Sequence, residues 1–150
     1  MIHIKRTTSE NPDFIELVKQ LDADLAVRDG EDHAFYAQFN GIATLNHVIV
    51  AYHDKQPVSC GAIKPFNTDT LEVKRMYTLP DYRGEGLASK VLAELELWGK
   101  TMHYNYCILE TGMKQPEAIA LYKKNGYQSI QNYGQYIGVE NSVCFKKTLE

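Results

Sequence analysis

A mixed α/β fold, built on a sheet with one parallel strand pair at its centre, is predicted by three features of the sequence. Between about residues 46 and 78, β-branched and apolar runs alternate with polar turns, the signature of antiparallel strands. From Leu87 the apolar spacing lengthens to three or four residues, the stripe of an amphipathic helix. A further strand begins at Tyr104. Parallel strands need a crossover of about a dozen residues or more, and this helix supplies one, so the strands flanking it read as parallel neighbours in a βαβ unit.

In chain order, the first strand is expected at Ile2 to Thr7. Pro12 to Val27 carries Phe14, Leu17, Val18, Leu21 and Leu25 at helical spacing, and Asp29-Gly30 ends it. A second helix is expected over about Asp32 to Phe39. Asn46 to Tyr52 and Val58 to Lys64 form a hairpin around His53-Asp54-Lys55-Gln56-Pro57, and Leu71 to Thr78 follows the turn from Pro65 to Thr70. The crossover helix aligns Leu87, Val91, Leu92, Leu95 and Trp98 and runs to about Met102; Tyr104 to Glu110 is the parallel partner. A short helix is delimited by its end chemistry: Pro116 is pre-set for a first turn, Lys123 and Lys124 suit the negative end, and Gly126 lies beyond. Strands at about Tyr127 to Gln131 and Ser142 to Thr148 close the chain.

At 150 residues, 44% hydrophobic and 23% charged, residues 1–150 have the size and balance of one folded domain. The longest apolar run, Val48 to Tyr52, is far short of the ~20 residues that span a bilayer, and the first residues lack a signal-peptide apolar core. A cytoplasmic protein with no membrane partner is expected. Net charge is −3 and the basic residues are dispersed, which leaves no stripe to neutralise nucleic acid. Cys60, Cys107 and Cys144 are odd in number and set among apolar neighbours, which predicts buried thiols and not disulfides. The five histidines form no HExxH pair, so no metal is expected.

The chemistry concentrates after the strand Leu71 to Thr78. It leads through Leu79-Pro80-Asp81-Tyr82 into Arg83-Gly84-Glu85-Gly86-Leu87-Ala88-Ser89 and directly into a helix. Free N–H groups and partial positive charge at a helix start, with glycines that let a ligand approach and Arg83 as a cation, suit a pyrophosphate. A tight turn with an exposed arginine is the plainer reading. A P-loop and a dinucleotide fingerprint both require glycine where Ser89 stands. Glu110, at the end of the next strand, could serve as a ribose-binding acid, so an NAD(P)-binding oxidoreductase is an alternative.

Arg83, Gly86 and Ala88 fit the pattern Gln or Arg, two residues, Gly, one residue, Gly or Ala. Around it stand, in order, Glu72-Val73-Lys74-Arg75-Met76-Tyr77, then Leu109-Glu110-Thr111-Gly112, then Gln115-Pro116-Glu117-Ala118-Ile119-Ala120-Leu121-Tyr122, then Asn125-Gly126-Tyr127. From Val58 to Tyr136 the chain thereby resembles the GNAT superfamily of acyl-CoA-dependent N-acetyltransferases. The resemblance implies a six- to seven-stranded mixed, largely antiparallel sheet, a central splayed parallel pair, and helices on both faces. It implies acetyl-CoA as acyl donor, its pyrophosphate on the amides of Arg83, Gly84, Glu85, Gly86, Leu87, Ala88 and Ser89, and its pantetheine arm along Tyr77, Thr78 and Leu79. An amide near Met76 or Tyr77 would polarise the thioester carbonyl. Gln115 stands where many relatives have asparagine facing the cofactor arm. Tyr122 matches the tyrosine beside the coenzyme sulfur; a phenol of pKa about 10 stays protonated where a thiol of about 8.5 begins to ionise.

An ammonium must lose a proton before it attacks, and Glu72 is the candidate base, with pairing to Lys74 or Arg75 as its structural alternative. Simple alternation puts Leu71, Val73, Arg75 and Tyr77 on one strand face and Glu72, Lys74, Met76 and Thr78 on the other. Glu110 and a water relay are further routes for the proton. Tyr36, Tyr133 and Tyr136 are candidates to line the acceptor site. No cysteine has a histidine nearby in sequence, which favours direct transfer from acetyl-CoA to a primary amine over an acetyl-enzyme. The acceptor is a small molecule or a peptide amine. A CoA-binding module without catalysis is a second alternative, and members of the family often form homodimers.

Overall fold

The fold is given by a computed structural model that describes residues 1–30 and 44–150. The helix expected over Asp32 to Phe39, and Tyr36 with it, lie outside the described residues. The strands are β1 (Ile2–Thr7), β2 (His47–His53), β3 (Gln56–Pro65), β4 (Thr70–Thr78), β5 (Tyr106–Gly112), β6 (Gln128–Ile130) and β7 (Ser142–Thr148). They form one sheet in the order β1-β2-β3-β4-β5-β7-β6, antiparallel throughout except between β4 and β5. The helices are α1 (Pro12–Asp29), α2 (Leu87–Thr101) and α3 (Pro116–Lys124). No helix among the described residues is long and apolar enough to cross a membrane.

Period-two alternation decides which helix each strand residue meets. Val48, Val50, Cys60 and Ala62 face α1, where Phe14, Leu17, Val18 and Leu21 cover them. Ile49, Ala51, Ile63, Leu71 and Val73 face the other way, onto Val91, Leu92 and Leu95 of α2 and Tyr122 of α3. Burial of each such leucine or valine contributes about 1.5–3 kcal/mol, so packing on both faces holds the sheet firmly. The entry to α1 is fixed by Asn11, whose Oδ1 accepts from the N–H groups of Asp13 at 2.8 Å and Phe14 at 3.2 Å, a cap that contributes about 1 kcal/mol. Gly99 permits close approach of α2 to β4: a β-carbon there would lie 2.6 Å from Leu71 Cδ1.

Element ends differ from the sequence reading where backbone turns intervene. Tyr104 does not begin β5, because His103 adopts φ +70° and the Tyr104 N–H turns back to the carbonyl of Gly99. Tyr127 does not begin β6; its N–H caps the end of α3 on the carbonyl of Tyr122.

The largest departure lies in β4. Its register against β3 slips between Cys60 and Ala62, so that Arg75 and Met76 together oppose Gly61. Arg75 takes φ +60°, and this left-handed residue absorbs the extra position as a bulge. Beyond it the faces are exchanged. Met76 joins Leu71 and Val73 on the α2 side, while Tyr77 packs with the α1 cluster and Arg75 pairs with Asp22 of α1. Alternation alone cannot register an inserted residue, which is why the expected grouping of Arg75 and Tyr77 with Leu71 and Val73 fails.

The bulge also shapes the gap. β4 and β5 pair only through Thr70–Glu72 and Tyr106–Ile108. Past these residues a bulged strand bends away from its neighbour, while β5 continues against β7 as far as Gly112.

Candidate active site

Two adjoining cavities open where β4 and β5 part. The larger, about 350 Å³, is lined by Met76, Tyr77 and Thr78 of β4, by Arg83, Gly84, Gly86, Leu87, Ala88 and Ser89, and by Gln115 and Tyr122. Of the residues the sequence assigned to cofactor binding, Leu79 and Glu85 are outside this wall. The Leu79 N–H donates to the carbonyl of Val58 at 2.8 Å. Strand alternation then turns the backbone of Thr78 the opposite way, toward the gap.

The far end of this cavity is the start of α2. Gly86 is its N-cap, with φ +80° and no side chain to satisfy the helix donors. The first helical hydrogen bond runs from the Lys90 N–H to the Gly86 carbonyl, which leaves the amides of Leu87, Ala88 and Ser89 without helix partners. Gly84 also has φ +82°, and a β-carbon built on either glycine meets nothing within 4 Å. Open space, orphan amides and the positive end of a fifteen-residue helix together suit a pyrophosphate. Arg83 stands at the rim, its Nε–H donating to the Thr78 carbonyl at 2.9 Å and its guanidinium 5.6 Å from the Tyr77 ring centre. Asn125, at the end of α3, donates to Ser89 Oγ at 3.1 Å and ties the two helix ends together.

α1 closes the same cavity from the other side. Asp24 and Arg28 line it, and Arg28 pairs with Glu117 of α3 across it. Nothing in the sequence near the glycine loop signals these residues, because α1 reaches the site only through the fold.

Met76, Gln115, Ala118 and Tyr122 also line the smaller cavity, of about 110 Å³, so the two spaces meet at these residues. Tyr122 is 6% exposed, with its ring against Tyr127 at 5.8 Å and Phe145 at 6.2 Å. Burial pushes its phenol well above the ordinary value of 10.0, and the Glu110 carboxylate adds to the rise. It therefore remains a proton donor throughout the neutral range.

Glu72, Lys74, Arg75, Glu110 and Tyr136 share the wall of the smaller cavity with Tyr122. Glu72 is buried, and its Oε2 accepts from Tyr133 Oη at 2.7 Å across 61 residues of sequence. Its Oε1 lies 3.9 Å from Lys74 Nζ. Glu110 Oε2 accepts from Ser142 Oγ at 2.7 Å. Burial lowers the pKa of the Lys74 ammonium, against the opposing pull of Glu72. Tyr133 is stacked edge-on between Phe66 at 5.2 Å and Tyr136 at 5.8 Å, so the 132–136 segment covers Glu72, where the sequence offered these tyrosines as acceptor-site candidates. Arg75 is 6% exposed; its Nη2 pairs with Asp22 Oδ1 at 2.5 Å, but among the described residues its buried Nε–H has no acceptor.

The family model of the acetyltransferase (GNAT) domain matches residues 44–129, more than half of the chain. The chain belongs to the GNAT acetyltransferase family. It is 28% identical to the uncharacterized N-acetyltransferase YjgM of Escherichia coli over 135 residues, 83% of this chain and 80% of the relative. It is also similar to the solved structure of a Klebsiella pneumoniae protein described as an acyl-CoA N-acyltransferase, with a TM-score of 0.84 and 30% identity over 100% of this chain and 99% of the other. The PaiA N-acetyltransferase of Thermoplasma acidophilum, solved in complex with coenzyme A, shares the fold at a TM-score of 0.73 and 17% identity over 99% of both chains. For this GNAT acetyltransferase the βαβ unit follows three antiparallel strands and does not open a doubly wound parallel sheet, which removes the basis of the dinucleotide alternative. Among the described residues no group of His, Cys, Asp and Glu could hold a metal ion.

Proposed function

We propose that the protein transfers an acetyl group from acetyl-CoA to a primary amine by direct attack in a ternary complex. One observation carries this reading: the two cavities have Tyr122, Met76 and Gln115 in common as lining residues, so an anion-binding helix start and a carboxylate-bearing pocket share one buried phenol. The amides of Leu87, Ala88 and Ser89 hold the pyrophosphate, with Gly84 and Gly86 leaving room and Arg83 adding a cation. Backbone of Thr78 holds the pantetheine arm, while that of Tyr77 faces β3, where its carbonyl accepts from Ser59 Oγ at 2.9 Å. Gln115 borders the arm, and an amide near Met76 stabilises charge growing on the carbonyl oxygen, which contributes about 2.7–4 kcal/mol in comparable sites.

Acetyl-CoA supplies the activated acyl group as a thioester. Glu72 takes one proton from the acceptor ammonium. The freed nitrogen then bonds to the carbonyl carbon as the carbon–sulfur bond breaks, and Tyr122 gives its proton to the departing sulfur. The nitrogen loses its second proton as the amide forms, and that proton returns the phenol to its starting state; the overall reaction liberates CoA thiol and one proton. Direct transfer is favoured over a cysteine route. All three thiols are buried, none lines either cavity, and burial pushes Cys60 and Cys107 up to about 12 and Cys144 to about 11.

Thiol release from acetyl-CoA in the presence of an amine panel tests the reaction. Within it, Glu72→Gln is expected to lower kcat/KM by about 10²-fold or more, the usual scale for loss of a general base. Raising the pH supplies neutral amine and should restore part of that rate. A variant whose pH–rate profile overlays the parent's removes Glu72 as the base and leaves Glu110 or water.

A further inference from the structure

A pocket for a bare ammonium needs only carboxylates, but the smaller cavity also contains two cations. Lys74 and Arg75 share its wall with Glu72 and Glu110. Neither has the exposure of a surface charge: the Arg75 side chain is 2% exposed and that of Lys74 is 12%. Among the described residues, their ion pairs leave donors of both cations unused. The 3.9 Å from Lys74 Nζ to Glu72 Oε1 exceeds hydrogen-bond range. Arg75 has Asp22 as its ion-pair partner through Nη2, but the Asp22 side chain is 50% exposed and shared with water. Among the described residues the Arg75 Nε–H has no acceptor. A guanidinium is a planar fork of donors matched to a carboxylate, and this one is held at the cavity by the β4 bulge with a donor unmet.

Building on the transferase reading above, we propose that the smaller cavity selects amines that also carry a carboxylate, with the ammonium seated at Glu72 and the carboxylate beside Lys74 and Arg75. Such an acceptor is a zwitterion, and both of its charges meet opposite ones. A diamine does not: its second ammonium is driven against Lys74 and Arg75. The volume of about 110 Å³ suits a small acceptor, and Leu21 and Leu25 of α1 give it an apolar wall for a short side chain.

The test measures thiol release from acetyl-CoA with a set of amino acids, each paired with the amine left when its carboxylate is removed, and with diamines of similar length. For at least one pair the acid-bearing member should be favoured in kcat/KM by about tenfold or more, the scale of one charge-assisted hydrogen bond. That ratio should fall toward unity in Lys74→Gln and in Arg75→Lys, which keeps the charge and loses the fork. Arg75 is buried, so Lys74→Gln carries the test if Arg75→Lys does not fold. Equal rates within every pair, a preference for diamines, or an acid preference unaltered in the folded variants overturns the assignment and leaves acetyl transfer standing. Absence of thiol release with every amine overturns acetyl transfer itself, a separate and recognisable result.

Discussion

Tyr122→Phe is expected to lower kcat by about 10²- to 10⁴-fold, the range typical of a positioned proton donor, with acetyl-CoA affinity hardly moved. The substitution removes one oxygen and keeps the ring that packs on Tyr127 and Phe145, so the fold and both cavities survive. Because kcat and kcat/KM should fall together, the lost interaction is one made only as the sulfur departs. The pH dependence has a definite sign. Burial and Glu110 both raise the phenol's pKa, so Tyr122 stays protonated past its ordinary value of 10.0, and no loss of rate below that pH should trace to its ionisation. Steady-state kinetics with calorimetry of acetyl-CoA binding checks both halves, and unchanged turnover removes Tyr122 from the chemistry.

Gly86→Val should act on binding. The residue has φ +80°, where a β-carbon costs about 1–2 kcal/mol and a branched one more. The added side chain meets no protein atom, because it projects into open space at the α2 start. The protein is therefore expected to fold with a modest loss in Tm. Acetyl-CoA affinity should drop by about 10- to 100-fold, as expected when one or two charge-assisted hydrogen bonds to the pyrophosphate are displaced. Calorimetry with acetyl-CoA, run beside a thermal melt, separates the two effects; undiminished affinity in a folded variant moves the pyrophosphate away from this helix.

The parts of the molecule legible in the sequence are those whose cause is local. The bounds of β1, β7 and α3 agree with the reading from alternation and from end chemistry at Pro116, Lys123 and Lys124. The glycine loop was legible as a turn into a helix for the same reason, since a strand, a turn and a helix start are contiguous there, whereas Tyr122 was singled out by the family resemblance and by no local pattern. The bulge at Arg75 was not, because a single left-handed residue leaves the composition of β4 unaltered while it exchanges the faces beyond it. The smaller cavity was the least legible. Tyr133 meets Glu72 across 61 residues, Leu21 and Leu25 reach the cavity wall on α1, and Asp22 of the same helix pairs with Arg75, while the apolar spacing of α1 signals only a packed helix.

The central claim is that main-chain groups, in a gap between diverging parallel strands and at an uncapped helix, hold the acyl donor. A crystal structure with desulfo-coenzyme A bound tests it most directly. The expected result is pyrophosphate density on the amides of Leu87, Ala88 and Ser89, with the arm running past Thr78 toward Tyr122. A ligand lodged outside the gap, or an arm that ends away from Tyr122, contradicts it.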